Sequence, residues 1–181
     1  ASLNLQTTMD AILSKLHEAF GGTRLCVLLY EKRLHALKFA PGTSKFYKVN
    51  NPAYADQDTF PLEKGTIACR VARQTLEKKR IQFANIEDVT KDAEYLLLNS
   101  KVKSEFCISL LDTKNDLLGV MALERGKVNG FGRDDIEVIR AVAQHISIAI
   151  ERAQQSEELE YNSTVAAQTA WAANLAHEIN N

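Results

Sequence analysis

No apolar run in the 181 residues approaches the roughly 20 positions that a membrane-spanning helix requires. No signal peptide or lipidation motif opens the chain either. The start at Ala1, without an initiator Met, leads us to expect that upstream sequence was removed, and an anchor for the intact protein can lie there. An excess of one charge is also lacking. With a formal net charge of −1 and no basic cluster, nucleic acid and anionic lipid are not expected partners. The three cysteines, Cys26, Cys69 and Cys107, are odd in number, show no metal-ligand spacing and sit in or beside apolar stretches. They read as reduced thiols of a cytoplasmic protein, and no metal site is expected. Internal repeats and low-complexity segments are absent.

What is present is ordinary soluble composition, 45% hydrophobic and 25% charged, in a length that holds one domain plus an appended helix or two. Leu5, Met9, Ile12, Leu13, Leu16 and Phe20 form a helical stripe that Gly21 and Gly22 stop. Leu25 to Tyr30 and Leu34 to Phe39 read as paired strands joined at Glu31-Lys32-Arg33. The segment from Pro41 to Pro61 reads as one long surface loop, of a length that often covers a binding site. Ile67, Ala68, Val71, Ala72 and Leu76 mark a second helix, and Ile81 to Ile86 a short strand. Polar, loosely helical sequence follows through Tyr95 to Leu98. Phe106 to Leu111 and Leu117 to Leu123 flank a turn at 112–116, a hairpin signal. From Asp134 or Asp135 a helix runs without a clear breaker to the end. The order predicts an α+β fold, with helices against an antiparallel sheet.

The stretches Glu63-Lys64-Gly65-Thr66-Ile67-Ala68-Cys69-Arg70-Val71-Ala72 and Gln82-Phe83-Ala84-Asn85-Ile86-Glu87-Asp88-Val89 resemble the centre of GAF domains. So does Ser109 through Leu118-Gly119-Val120-Met121-Ala122-Leu123, followed by Phe131-Gly132-Arg133-Asp134-Asp135. The likeness covers residues 1–153. It implies an antiparallel sheet with the terminal helices on one face, and the long loop and the helix near Gly65 on the other. Small ligands of that family lie beneath this cover. The pocket candidates are Phe60, Thr66, Cys69, Phe83, Asn85, Tyr95, Ile108 and Met121. Two readings of these eight stand side by side: they line a site for an unidentified small molecule, or they fill the core of a dimerisation module. Of the cyclic-nucleotide signature only the generic Phe131 and Asp134-Asp135 part is present, no cysteine has a bilin-binding setting, and His17, His35 and His145 have ordinary surroundings for a haem ligand.

In the long helix, Ile136, Ile139, Ala143, Ile146, Ile150 and Ala153 are spaced 3, 4, 3, 4, 3, the seam of a coiled coil. Two chains are expected to pair there in parallel, over residues 136–181, while Val138, Val142 and Ala149 form a second stripe suited to the sheet. The pattern lapses from Gln154 to Glu160 and resumes as Tyr161, Val165, Gln168, Ala172, Leu175 and Ile179, a slip of one residue. Such a slip locally unwinds a coiled coil, and either offers two packings to a sensor or is a passive linker. With Trp171 and Ala176 flanking it, the second stripe is wide enough for a helix inside a bundle.

The terminal Leu175-Ala176-His177-Glu178-Ile179-Asn180-Asn181 resembles the H-box of sensor histidine kinases. His177 lies two residues from Leu175 and from Ile179, about 200° around the helix from each, and so points away from the seam. The resemblance implies that residues 154–181 are a signalling helix and the truncated first helix of a dimerisation and phosphoacceptor domain. His177 would be the phosphoacceptor, Glu178 the general base, and Asn181 would support phosphatase chemistry. Mg-ATP would be held by an ATP-binding domain of the intact protein, and the phosphoryl group would pass to a response regulator receiver domain. The fragment itself, with no evident cofactor, is expected to be inactive. Two alternatives remain: a GAF module that only binds a ligand or dimerises, and a small GAF-fold reductase that uses cysteines.

Overall fold

A computed structural model of the chain describes residues 3–21, 23–43, 47, 52, 56–63, 65–96 and 98–179, and the side chains of those between 6 and 171. Helix α1, Leu3–Ala19, follows the apolar stripe, burying Met9, Leu13 and Leu16. Strand β1, Arg24–Glu31, pairs antiparallel with β2, Ala36–Phe39. The expected second strand begins late, because Leu34 is 63% exposed in a turn that His35 completes at φ 49°. Within the expected loop a short strand forms, β3, Thr59–Pro61, paired to β2 with Leu37 opposite Phe60. Three residues ending in proline carry almost no sequence signal, and at a sheet edge the missing N–H is tolerated.

Helix α2, Ile67–Lys78, starts where the Thr66 hydroxyl accepts the Cys69 N–H at 3.1 Å, and ends at Lys79 in the left-handed region. Strand β4, Phe83–Ile86, is followed by a 3-10 turn at Val89–Lys91 in the segment expected to be loosely helical. The hairpin is β5, Ser104–Leu111, with β6, Leu117–Arg125. Helix α3 runs from Arg133 to Ile179. The strands form one sheet in the order β3-β2-β1-β6-β5-β4, with antiparallel neighbours throughout.

Both faces of this sheet are covered. Leu25, Val27, Phe106, Ile108, Leu110, Met121 and Leu123 pack under α1 and α3. Cys26, Leu28, Cys107, Val120 and Ala122 pack under α2 and the segments that carry Tyr47, Phe60 and Leu98. The register shifts at Leu110/Leu111, opposite Gly119. A Cβ at Gly119 would stand 2.2 Å from the Leu28 carbonyl oxygen, so only glycine lets β1 and β6 approach there. The start of α3 is fastened to the end of β6. Both Arg125 terminal nitrogens reach the Asp135 carboxylate at 3.1 Å, its Nε donates to Thr23 Oγ1 at 3.0 Å, and its guanidinium lies 4.7 Å from the Phe131 ring centroid.

The first half of α3 corrects the expected interchain seam. Ile139, Ala143, Ile146, Ile150 and Ala153 are each at most 4% exposed in the single chain, packed against α1 and the sheet, so they are not free to pair with a second copy. The stripe assigned to the sheet has the opposite fate at Val138, which is 53% exposed. The physical reason is that a three-four spacing marks any one-sided helix, and a sheet face serves it as well as a partner helix. Beyond Ala153 the helix leaves the domain, with Leu159, Tyr161, Val165 and Trp171 all exposed. Over its 47 residues α3 spans about 70 Å.

Because the seam is internal, Ile146→Ala is expected to lower the unfolding free energy by about 2–5 kcal/mol, the cost of a buried cavity. Urea unfolding at two protein concentrations checks this, since the loss should be the same at both.

Candidate functional site

Strand alternation decides which predicted pocket residues meet. Phe60 lines a small cavity beneath the cover, with Thr66 and Ala68 at the start of α2. Cys69 is fully buried beside it, its Sγ donating to the Phe60 carbonyl at 3.8 Å. Tyr95 packs against the same cluster, its hydroxyl buried without a hydrogen-bond partner among the described residues. The other four are corrected, for they lie on the opposite face. Ile108 and Met121 are buried beneath α1 and α3. Phe83 stacks on Phe106 with centroids 5.7 Å apart and carries the Arg140 guanidinium at 5.4 Å. Asn85 donates its side-chain N–H to the Phe131 carbonyl at 3.5 Å. Each is one residue out of step with the pocket face, which Ala84, Cys107 and Ala122 occupy.

The residues missed by the sequence reading are two carboxylates. Glu105 and Glu124 stand opposite each other on β5 and β6, 6% and 4% exposed, and both line the cavity. The signal was available: each is a charged residue two positions from a buried small one, Cys107 and Ala122, hence on the same inward face. Among the described residues the other walls are Cys26, Leu28, Phe39, Tyr47, Leu98 and Ala122. The cavity measures about 30 Å³, room for a molecule about the size of water.

The Tyr47 N–H donates to the Thr43 carbonyl at 2.9 Å, and its hydroxyl donates to Glu124 Oε1 at 3.0 Å. The Cys107 thiol donates to Glu105 Oε1 at 2.9 Å. Glu124 Oε2 is buried with no hydrogen-bond partner among the described residues. The cover is latched by Arg70, which holds Asp92 through two bonds of 3.2 and 2.8 Å, and by Arg73, which reaches Glu94 at 3.0 Å and the Leu62 carbonyl.

Burial pushes both carboxyls up, Glu105 to about 7 and Glu124 to about 8, and the Glu105 charge adds to the rise at Glu124. Opposing them, the Cys107 bond and Arg70 lower the first, while the Tyr47 bond and Arg24 lower the second. Burial also raises the thiols of Cys26, Cys107 and Cys69, so all three stay protonated and poorly nucleophilic at neutral pH. Among the described residues, no group of three or more His, Cys, Asp and Glu is placed to hold a metal ion. Asn181, and the side chains of His177 and Glu178, lie outside the described residues.

The raised carboxyls set a pH dependence. The folded chain binds more protons than the unfolded one between the ordinary glutamate range and about pH 8, so stability falls as pH rises through that window and levels off above it. Glu124→Gln should flatten this slope and stabilise the chain by roughly 1–3 kcal/mol at high pH. Urea unfolding of both proteins near pH 5.5 and pH 8.5 is the check; a wild-type chain equally stable at both would contradict it.

Comparison with known proteins places this architecture. The GAF domain from a phosphoenolpyruvate-protein phosphotransferase of Coxiella burnetii superposes with a TM-score of 0.66 at 15% identity, over 87% of this chain and 89% of that one. The corresponding domain from Acinetobacter gives 0.64 at 14% identity, over 87% and 89%. A free methionine-R-sulfoxide reductase from Neisseria meningitidis, solved with its substrate, gives 0.64 at 19% identity, over 84% of this chain and 78% of that one. At such identities the likeness is one of fold. No curated protein matches the chain in sequence. The family model described as GAF domain matches residues 2–151, and the chain therefore belongs to the GAF domain family.

Proposed function

We propose that this chain is the sensory and phosphoacceptor part of a two-component sensor histidine kinase, with residues 1–153 as sensor and 154–181 as signalling helix and start of the phosphoacceptor domain. The observation that carries the reading is the continuity of α3. One uninterrupted helix begins at the Arg125–Asp135 clamp, packs Ile139, Ile146 and Ile150 against the sensory core, and continues to Ile179 through the segment that resembles an H-box. A change in packing on the sheet turns or shifts this helix as a unit, because a helix transmits rotation along its hydrogen-bonded ladder.

In this reading two copies meet in parallel along the exposed part of α3. Leu159, Val165 and Trp171 supply apolar surface that a lone helix leaves in water. His177 accepts the γ-phosphoryl group of ATP on a ring nitrogen, the neutral imidazole acting as nucleophile and Glu178 as base. Mg-ATP and the ATP-binding domain come from the intact protein, and a receiver-domain aspartate takes the phosphoryl group onward, with Asn181 supporting its later hydrolysis. This chemistry belongs in the cytoplasm, where ATP and receiver domains are present. Among the described residues, no helix is long and apolar enough to cross a membrane. The reductase alternative gains nothing here, since all three thiols are buried and held protonated.

Two measurements test the proposal in the intact kinase. His177→Gln should abolish labelling by γ-phosphate-labelled ATP, at least a hundredfold below the parent; retained labelling would move the phosphosite elsewhere. Inserting one residue between Gln154 and Glu160 rotates all that follows by about 100° and should change the labelling level, whereas inserting seven, close to two turns, should largely restore it. Equal labelling in both insertions would refute transmission through helix rotation.

A further inference from the structure

Two buried carboxylates face one another in the cover-side core, with Arg70 and Arg24 acting on them only through space among the described residues. Among the described residues, neither Glu105 nor Glu124 forms an ion pair with Lys, Arg or His. Each has one hydrogen-bond donor, the Cys107 thiol and the Tyr47 hydroxyl, and a carboxylate can accept about four bonds. Glu124 Oε2 is left with none in a residue 4% exposed, and the buried Tyr95 hydroxyl is also unpartnered. Tyr95 lies near enough to both carboxylates for their charge to raise its phenol. Leaving such groups unsatisfied in a folded core is destabilising. Both carboxylates border the same cavity, whose volume of about 30 Å³ excludes anything bulky. Phe39 and Phe60 close it with aromatic rings, 5.4 Å between centroids.

We propose that the cavity between Glu105, Glu124 and Tyr47 binds the ammonium ion, whose N–H donors meet the free Glu124 oxygen and Glu105. The match is threefold. An ammonium group carries donors and no acceptor, and the cavity offers unsatisfied acceptors. Its positive charge offsets the repulsion between carboxylates that stand on adjacent strands. Its size is close to that of water, and aromatic walls favour a cation over a neutral guest. Water can occupy the same space but leaves the charge of the pair uncompensated.

This inference concerns the sensory domain alone and does not depend on phosphotransfer. Occupancy would tie β5 and β6 to the covering segments through Tyr47, while α3 lies on the other face of the same two strands. Binding competes with protons. The groups that face the pair are Arg24 and Cys26 from β1, Cys107 from β5, Tyr47 and Tyr95 from the cover, and the Arg70–Asp92 pair joining α2 to it. With both carboxyls pushed up to about 7 and about 8, the empty site is largely protonated below neutral pH and should bind the cation more tightly as pH rises.

The test uses the 181-residue chain. Thermal unfolding and titration calorimetry near pH 8.5 with ammonium chloride, against potassium chloride and tetramethylammonium chloride at equal ionic strength, should show a saturable rise in melting temperature with ammonium only. The apparent dissociation constant should increase at least tenfold near pH 6. Glu124→Gln and Glu105→Gln should each weaken binding at least tenfold; should one not fold, the other carries the comparison. An equal response to potassium or tetramethylammonium would overturn the proposal, as would undiminished binding in a folded variant or no binding by the wild-type chain.

Discussion

A sheet buried on both faces is the constraint from which the rest of this molecule follows. All eight residues of β5 and the first eight of β6 are buried, so alternate side chains go to two different cores and none of these positions is left to water. Under that constraint a charged residue in either strand has nowhere exposed to point. Glu105 and Glu124 are consequences of this geometry: directly opposite in register, both on the cover face, and both held in a medium that disfavours their charge. The domain tolerates them by supplying one donor to each and a cavity between them.

The two cores have different characters because different chemistry covers them. Beneath α1 and α3 the contacts are aliphatic and aromatic, and the polar fastening lies at the rim, where Arg125 joins β6 to Asp135 at the start of α3. Beneath α2 the described parts of the cover are short pieces: β3, Tyr47, and the 3-10 turn at Val89–Lys91 with Tyr95 and Leu98 beyond it. Short pieces with little apolar surface need specific polar ties, and the Arg70–Asp92, Arg73–Glu94 and Tyr47–Glu124 contacts provide them. One of these ties ends on a carboxylate that titrates near neutral pH, so the state of the cavity and the closure of the cover are physically linked.

The sheet also connects that cavity to the long helix. Cys107 and Ala122 face the cover, while their neighbours Phe106, Ile108, Met121 and Leu123 face α1 and α3. A displacement of β5 or β6 is felt on both sides, because close-packed interiors transmit strain rather than absorb it. Helix α3 then carries any change out of the domain to its exposed half. The continuity of the helix suits it to the signalling role proposed for it, whatever occupies the cavity.

Local pattern was enough to place most elements: the apolar stripe of α1, the helical spacing of α2 from Ile67 to Leu76, the hairpin between β5 and β6, and the start of α3 to within a residue or two of Arg133 were all legible, as were the order of elements and the family resemblance. Strand β3 was not, because three residues carry no periodicity and depend on pairing with β2. The pocket was half legible. Phe60, Thr66, Cys69 and Tyr95 lie at the cover, whereas Phe83, Asn85, Ile108 and Met121 face the other core, since a continuous apolar run does not reveal which parity points which way. The seam from Ile136 to Ala153 was legible as a seam, but its partner was not, because identical spacing serves a sheet or a second helix. The sequence by itself determined the elements and their order, through short-range periodicity and turn residues. Only the tertiary structure decided which faces meet, and so brought Glu105 and Glu124 together in one cavity: residues 19 positions apart become neighbours only through cross-strand register, a long-range contact that no local pattern encodes.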